Sequence, residues 1–392
     1  MQKVLLFVFL VLSFKNSYST EYTKVDSLIK VKKYFTAWKE LEKLEKKENK
    51  IDINLRKIDM CLKYHVKSIS HQAFAFVNVP KGESLLKQKQ LATQKTISAF
   101  PFKIDIILDS LIKEEPNNYK LYKAKGEYYY DIFILFEKEW IKNKQEVLRQ
   151  MHDSFKKADE NGERDHLSLY ALGYFYTLNE QTSKAFEFFK RSINIDSSYA
   201  PAHYNLAYLY AEKDSNKQAL KHALKAYNQY RYVLYKSDAG QMAGSLLGKL
   251  GKHNEAISIL LDCEKIVPGN YQTYYYLLNS FLSINKLAES LLTTESMFNI
   301  DWKSHTINTD IIELYVKTNN FEQIINFYNI KLNKDKYDME FRGHMQLNIA
   351  QAYALNSRIE KKLHYLNLAR ESFNICYDEG HPIFRVLNKM EK

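Results

Sequence analysis

Two adjacent windows of 34 residues decide the fold of this chain. His166–Tyr199 reads HLSLYALGYFYTLNEQTSKAFEFFKRSINIDSSY, and Ala200–Val233 reads APAHYNLAYLYAEKDSNKQALKHALKAYNQYRYV. At a shift of 34 the same residue types recur, in the pairs Tyr170 and Tyr204, Leu172 and Leu206, Tyr174 and Tyr208, Tyr176 and Tyr210, and Ala185 and Ala219. A period of this length is typical of a helix–turn–helix unit that cannot bury its apolar face alone and stacks on a neighbour.

The spacing inside each window predicts two packed helices. Leu172 and Tyr176 are four residues apart, so they lie on one face of the first helix. Gly173 between them is small and lets a second helix approach closely. Ala185 and Phe189 repeat the four-residue spacing in the second half of the window. Polar stretches at 179–181 and 213–216 predict the turns between the two helices.

These residues resemble the tetratricopeptide repeat (TPR) family. The family's signature positions are occupied in the first window by Leu172, Gly173, Tyr176, Ala185 and Phe189, and in the second by Leu206, Ala207, Tyr210, Ala219 and Ala226. The resemblance implies an all-α fold class, a right-handed superhelical α-solenoid of antiparallel helix pairs. It covers most of residues 119–376 and only weakly residues 21–118.

The composition agrees with a helical chain and narrows the class of partner. Among 392 residues there are 11 Gly and 6 Pro, and no long strand-like alternation is visible. The net charge of +11 is spread as lysine, without an arginine-rich block or a nucleic-acid motif, so no nucleic-acid partner is expected. A solvated lysine-rich surface explains this charge, and contact with an anionic envelope or an acidic partner is the alternative.

The first twenty residues predict a targeting segment. Lys3 supplies a positive start, and the apolar run 4–14 is too short for a stable membrane helix. Ser17 and Ser19 provide small residues at a cleavage site, so residues 1–19 are interpreted as a signal peptide, with an uncleaved anchor as the alternative. No other apolar run approaches the length of a membrane span. The mature protein is therefore expected to be exported, periplasmic or secreted, and soluble or peripheral to the membrane.

Three further segments follow the signal peptide. Residues 20–118 are expected to form an N-terminal helical region with degenerate repeats, 119–376 a TPR-like solenoid, and 377–392 a C-terminal cap. Within the first segment, residues 74–79 precede Pro80, and this pattern predicts a loop or a short extended piece. Residues 131–143 are interpreted as an extension of the first helix of their repeat.

The resemblance also implies where a partner would bind. In the TPR family the fifth and ninth residues of the first helix face a concave groove. Those positions here are Tyr170 and Tyr174, then Tyr204 and Tyr208, and the series continues with Tyr275 and Asn279. Tyrosine offers a large contact area and one hydroxyl at low entropic cost, which suits an extended peptide. The alternative is that these rings pack on one another and on adjoining helices.

No catalytic or cofactor motif accompanies the repeats. HExxH, GxSxG and a Gly-rich phosphate loop are all missing from the sequence. The three cysteines, Cys61, Cys263 and Cys376, are far apart and predict neither a zinc site nor a disulfide framework. We therefore expect no catalytic residues, no metal and no cofactor.

Three functions fit these observations. The first is an exported, non-enzymatic scaffold that binds a protein or peptide partner in cell-envelope assembly or regulation. The second is a solenoid-supported enzyme or glycan-binding protein, with a pocket built from residues 51–118 and 131–143. The third is a membrane-peripheral assembly factor that acts through its basic surface. Fold alone does not decide among them.

Overall fold

The computed structural model describes residues 22–45, 50–94, 97–136, 143–334 and 338–391. The described chain is mostly helical, and its helices pack in consecutive pairs, which confirms the predicted fold class. The chain forms two compact units, and the boundary between them follows Ser197. The predicted signal peptide lies outside the described residues. Within those residues, none of the helices combines the length and the apolar character that crossing a membrane requires.

The first unit contains nine helices among its described residues. They are α1 (22–30), α2 (Tyr34–Leu44), α3 (Lys50–Lys63), α4 (Leu85–Gln94), α5 (Ile104–Glu114), α6 (Tyr119–Phe136), α7 (Lys144–Glu160), α8 (His166–Leu178) and α9 (Thr182–Ile195). The pairs α6–α7 and α8–α9 follow the repeat pattern, and α6 also packs against α8. The expected extension of the first helix is present in α6 as far as Phe136.

A small antiparallel sheet interrupts the helices of the first unit. Its strands are β1 (Lys67–Ile69), β2 (Ala73–Ala75) and β3 (Phe100–Pro101), in the order β1-β2-β3. The extended piece predicted before Pro80 is thus present as β2, while β1 and β3 were not predicted. Strands of two or three residues are too short to show the alternation that identifies a strand.

An aromatic core joins this sheet to α2. Trp38 is 2% exposed and stacks on Phe76, with 5.0 Å between ring centroids. The rings of Phe100 and Phe102, at and after β3, lie 4.8 and 5.3 Å from Trp38. Aromatic burial of this size stabilises the N-terminal region in place of the repeat contacts found further along the chain.

The second unit continues the helical pairs. It contains α10 (Ala200–Glu212), α11 (Asn216–Gln229), α12 (Val233–Lys249), α13 (His253–Ile266), α14 (Tyr271–Ser283), α15 (Leu287–Ile300), α16 (His305–Lys317), α17 (Phe321–Lys334), α18 (Met339–Leu355), α19 (Ile359–Cys376) and α20 (Pro382–Glu391). The first helix of each pair carries an even number, and α12, α14, α16 and α18 pack against one another in that order. The last helix, α20, buries Phe384 and Leu387 in a cluster with Phe373 of α19.

The turns inside the pairs share one backbone conformation. Glu180, Asp214, Asn285 and Asn319 each have a φ between 53° and 61°, in the left-handed region. Short polar side chains tolerate this region because they hydrogen-bond locally, and a left-handed residue is a common helix C-terminus. The bond from the Gln181 N–H to the Tyr176 carbonyl, 2.9 Å long, closes one of these turns. The polar stretches that predict turns at 179–181 and 213–216 therefore do end their helices.

Small residues allow the two helices of a pair to approach closely. A Cβ atom added at Gly173 of α8 would lie 2.7 Å from the Phe189 ring of α9. The same addition at Gly244 of α12 would lie 2.6 Å from Leu260 of α13. Contacts this short do not occur in packed proteins, so glycine is required at both positions by space rather than by backbone conformation.

Two glycines one turn apart on α12 provide a matched test of this packing. Gly244→Ala is expected to destabilise the second unit by about 1–3 kcal/mol, because Leu260 must move out of a packed core. Gly248→Ala is expected to stabilise it by up to about 1 kcal/mol, because alanine favours helix. Its added Cβ would meet no atom closer than 3.8 Å. Urea denaturation followed by circular dichroism measures both changes, and equal effects at the two positions would contradict the packing argument.

Candidate functional site

Two of the predicted binding tyrosines belong to the first unit. Tyr170 and Tyr174 lie on α8, and both are half-buried, with ring centroids 6.3 Å apart. Tyr170 packs on Phe189 at 5.6 Å, and Tyr174 lies 5.9 Å from Phe133 of α6. These rings therefore pack partly against neighbouring helices. A binding role for them stays a prediction.

The next two predicted tyrosines lie on α10 of the second unit. Tyr208 is 47% exposed, and its hydrogen bond to the Glu212 carboxylate raises the pKa of its hydroxyl. Tyr204 is half-buried. Burial raises the pKa of Tyr204, and the nearby negative charge of Asp238 on α12 raises it further. The side chains of α10 and α12 thus meet on one surface.

A tyrosine cluster that the sequence did not predict adjoins Tyr204. It consists of Tyr230, Tyr232 and Tyr235, at the end of α11 and the start of α12. The ring centroid of Tyr230 lies 6.4 Å from that of Tyr204 and 5.6 Å from that of Tyr235. Tyr232 and Tyr235 are each 56% exposed, with their rings 5.1 Å apart.

The length of α12 explains this cluster. The helix has 17 residues, whereas α10 and α14 have 13 each, so α12 begins about one turn early. Val233 and Leu234 in that extra turn are 53% and 47% exposed, and they extend the apolar surface. The signal available in the sequence was the three extra residues that follow Val233 before the repeat pattern resumes at Ser237.

Tyr275 and Asn279 bring α14 to the same surface. Burial raises the pKa of Tyr275, and the negative charges of Asp310 and Glu313 on α16 add to this effect. The ring of Tyr276 lies 5.6 Å from that of Tyr275, and Tyr276 is near enough to Tyr204 of α10 for its hydroxyl to contribute to the raised pKa of Tyr204. Asn279 is half-buried next to α12, with its amide nitrogen 3.9 Å from the place of a Cβ on Gly248.

These contacts link four first helices of the second unit into one surface, which we call the tyrosine–acid face. Its members are Tyr204, Tyr208, Glu212, Tyr230, Tyr235, Asp238, Tyr275, Tyr276, Asn279, Asp310 and Glu313. Of the predicted binding residues, the structure brings together Tyr204, Tyr208, Tyr275 and Asn279 here.

The carboxylates of this face lack salt-bridge partners in the described part of the chain. Across the part of the second unit that the structure describes, Glu212, Asp238, Asp310 and Glu313 form no ion pair with lysine or arginine. Several carboxylates on the second helices do pair with nearby cations, namely Glu255 with Lys252, Glu289 with Lys286, Glu295 with Lys331 and Glu322 with Arg358, whereas Asp262 and Glu264 of α13 accept hydrogen bonds from the hydroxyls of Tyr227 and Tyr274. The negative charge of the tyrosine–acid face is therefore not neutralised by the unit's own cations.

The first unit contains a separate pocket of about 570 Å³ between α2, α3, β3 and α5. Lys57 in its wall is 4% exposed, and its ammonium lies 2.6 Å from the Glu45 carboxylate and 5.3 Å from the Trp38 ring centroid. Glu42 accepts a 2.8 Å hydrogen bond from the Trp38 indole N–H. The polar groups of the pocket largely satisfy one another. Among the described residues, no three His, Cys, Asp or Glu side chains converge to hold a metal ion.

Comparison with known proteins identifies a repeat in the middle of the chain. Residues 167–199 match the family model described as tetratricopeptide repeat, which confirms the repeat predicted from the first window. The match spans a small part of the chain, and the predicted signal peptide stays a prediction. Comparison with curated proteins gives no significant match.

Solved structures with similar folds are distant. YrrB, described as a TPR protein with an unusual peptide-binding site, is 18% identical, with 54% of this chain and 96% of that chain covered and a TM-score of 0.40. A tetratricopeptide repeat protein from Parabacteroides merdae is 11% identical over 69% of this chain and 97% of its own, with a TM-score of 0.43. PilF of Pseudomonas aeruginosa is also 11% identical, over 56% and 96%, with a TM-score of 0.41.

Proposed function

We propose that this protein is an exported, non-enzymatic scaffold that binds an extended segment of a protein or peptide in cell-envelope assembly or regulation. The observation that supports this proposal is the tyrosine–acid face, where the rings of Tyr204, Tyr230 and Tyr235 adjoin one another and Tyr275 and Tyr276 present two further adjoining rings on α14. Tyrosine is enriched in binding surfaces because its ring supplies contact area and its hydroxyl a hydrogen bond.

The helices beneath the face suit this role. Buried residues such as Leu206, Leu247 and Leu277 hold α10, α12 and α14 in place, and each is at most 2% exposed. The exposed rings are therefore mounted on a rigid framework, so a bound segment would order few scaffold side chains. Pre-organisation of this kind lowers the entropic cost of binding.

Two tyrosine variants separate the possible binding surfaces. The mature protein, residues 20–392, is used to capture partners from envelope extract, beside one variant with Tyr204, Tyr208 and Tyr275 changed to alanine. A matched variant carries Tyr170→Ala and Tyr174→Ala in the first unit. Loss of a captured partner is expected with the first variant and retention with the second, because only the first removes rings from the tyrosine–acid face.

Circular dichroism must show that both variants are folded. Capture lost only with the Tyr170 and Tyr174 variant would move the site to the first unit. Capture unchanged in both variants would refute a tyrosine-lined site and direct attention to the N-terminal pocket.

The N-terminal pocket is the observation that favours the second candidate function, an enzyme or glycan-binding protein. Its wall combines an indole, two carboxylates and a buried ammonium from Trp38, Glu42, Glu45 and Lys57. Titration of the protein with soluble cell-wall glycan fragments, followed by tryptophan emission, tests it. A saturable change that Glu42→Gln abolishes would favour this function, and an unchanged spectrum would count against it.

A further inference from the structure

The tyrosine–acid face carries negative charge on a chain whose net charge is +11. Four carboxylates contribute to it, those of Glu212, Asp238, Asp310 and Glu313. Asp310 accepts a hydrogen bond from the Tyr271 hydroxyl and Glu212 one from Tyr208, so their neighbours are phenols rather than cations. The face thus combines an unneutralised negative field with several aromatic rings.

Asp238 lies next to the part of this face where the aromatic rings are grouped most closely. Tyr235 precedes it by three residues on α12, so both side chains lie on one side of that helix. The Asp238 charge also acts on Tyr204 and Tyr230, whose pKa values it raises. The rings of Tyr204, Tyr230 and Tyr235 thus form one continuous group, with neighbouring centroids 6.4 and 5.6 Å apart, and Asp238 lies one helical turn after Tyr235.

No internal cation occupies this place. Lys236 is close in sequence, but its ammonium lies over the Tyr227 ring, 5.0 Å from the centroid. Arg231 is exposed, and within the described residues it shows neither an ion pair nor a ring contact. Asp238 itself has no lysine or arginine partner among the residues that the structure describes. Burial raises the pKa of Asp238, as expected for a carboxylate that is partly desolvated without a counter-ion.

The chemistry of this cluster favours a cation and disfavours an anion. The face of an aromatic ring attracts an ammonium or guanidinium group through its quadrupole, most strongly where water is partly excluded. A carboxylate beside the rings adds a charge-assisted hydrogen bond. A phosphate or carboxylate ligand would meet the repulsion of Asp238 instead.

We infer that the tyrosine–acid face binds a basic segment of a polypeptide and seats an arginine or lysine side chain against Asp238 and the rings of Tyr204, Tyr230 and Tyr235. This inference rests on the proposed function and specifies the chemistry of the bound segment. A second basic side chain of the same segment fits the group formed by Tyr271, Asp310 and Glu313, where the Tyr271 hydroxyl donates a hydrogen bond to Asp310 and Glu313 lies one turn further along α16. The row of first helices explains why an extended polypeptide rather than a single small cation is the ligand.

The test selects ligands from a random dodecapeptide library on the mature protein. Selected peptides are expected to be enriched in arginine and lysine over the unselected library. Each is then labelled, and its affinity is measured by fluorescence anisotropy beside a copy in which citrulline and acetyl-lysine replace the cations. The neutral copy is expected to bind about tenfold more weakly or worse, because it loses cation–π and charge-assisted contacts.

Two isosteric variants locate the contact. Asp238→Asn is expected to weaken the basic peptides about tenfold, which corresponds to the loss of one charge-assisted contact. Glu289→Gln on α15 is the matched control and is expected to leave the affinity unchanged, because Glu289 lies on a second helix beside Lys286. Arginine amide at the peptide's concentration is expected not to displace the peptide.

The outcomes separate this inference from the proposed function. If selected peptides bind through the tyrosines but lack enrichment in basic residues, the cationic specificity is wrong and the scaffold function stands. The proposed function fails as well if no peptide is selected, or if changing Tyr204, Tyr208 and Tyr275 to alanine leaves the affinity for the selected peptides unchanged. Equal weakening by Asp238→Asn and Glu289→Gln would overturn the assignment to Asp238. Displacement by arginine amide would identify a site for small cations and overturn the polypeptide assignment.

Discussion

Phe189→Ala is expected to lower the free energy of unfolding of the first unit by about 3–5 kcal/mol, the usual cost of deleting a buried aromatic ring. Phe189 on α9 is fully buried, and its ring fills the space that Gly173 leaves on α8. Tyr170 packs on the same ring at 5.6 Å. Because glycine offers no side chain that could move into the cavity, the site cannot collapse and the cost should reach the upper part of this range.

Urea denaturation followed by circular dichroism measures this loss, with Phe186→Ala as the matched control on the same helix. Phe186 is only half-buried, so its removal should cost clearly less. If the two variants unfold at the same urea concentration, the contact between Gly173 and Phe189 does not determine the stability of this pair. The substitution should also loosen Tyr170, whose ring packs on that of Phe189.

The repeat period predicts the helical pairs because every residue that it uses acts locally. Gly173 and Phe189 meet within one pair, so the repeat spacing alone predicts their contact. The turns follow the same rule, since Glu180 and Asp214 end their helices through bonds to residues a few positions away. The predicted domain boundaries and the predicted signal peptide depend on features that these contacts do not test.

Strand β3 was not predicted because its contacts are distant in sequence. Phe74 pairs with Phe100, and the two lie too far apart for any local pattern to connect them. Trp38 gains its aromatic neighbours only when this sheet forms. A degenerate repeat pattern over residues 21–118 could therefore predict helices there, but not the strands between them.

The candidate site likewise contains some residues that the repeat pattern predicts and others that it does not. Tyr204, Tyr208, Tyr275 and Asn279 follow from the position that each residue holds within its own repeat. Tyr230, Tyr235 and Asp238 are not among those repeat positions: Tyr230 caps the C-terminus of α11, Tyr235 lies in the extra first turn of α12, and Asp238 follows it by three residues. The ion pairs of Glu255, Glu289, Glu295 and Glu322 depend on side-chain geometry that no repeat position encodes.

Acid is expected to destabilise the first unit through His65. This side chain is 8% exposed, and its Nδ1–H donates a 2.6 Å hydrogen bond to the Cys61 carbonyl, which can only accept. Burial, together with the positive charge of Lys89, lowers the pKa of His65 from 6.5 to about 4. In the unfolded chain the same imidazole has its ordinary pKa, so the unfolded state binds the proton at a higher pH than the folded state does.

The sign of the pH dependence follows from this difference. Above pH 6.5 His65 is neutral in both the folded and the unfolded state, so its protonation does not change the free energy of unfolding. As the pH falls from 6.5 to 4, only the unfolded state gains a proton, and the free energy of unfolding decreases. The full loss is about 3 kcal/mol, since each pKa unit corresponds to about 1.4 kcal/mol. Urea denaturation at pH 7 and at pH 4.5 measures it in the parent and in His65→Phe, whose ring fits the aromatic surroundings of Phe74 and His71.

The decrease in stability between the two pH values should be smaller in His65→Phe by most of this amount, because the variant has no proton to bind at that position. His364→Phe is the control; His364 is exposed on α19, so the variant should lose as much stability in acid as the parent does. Protonation of carboxylates also weakens a protein in acid, but it affects all three proteins alike and cancels in the comparison. An identical loss in His65→Phe and in the parent would show that the buried imidazole is not the group that responds to acid.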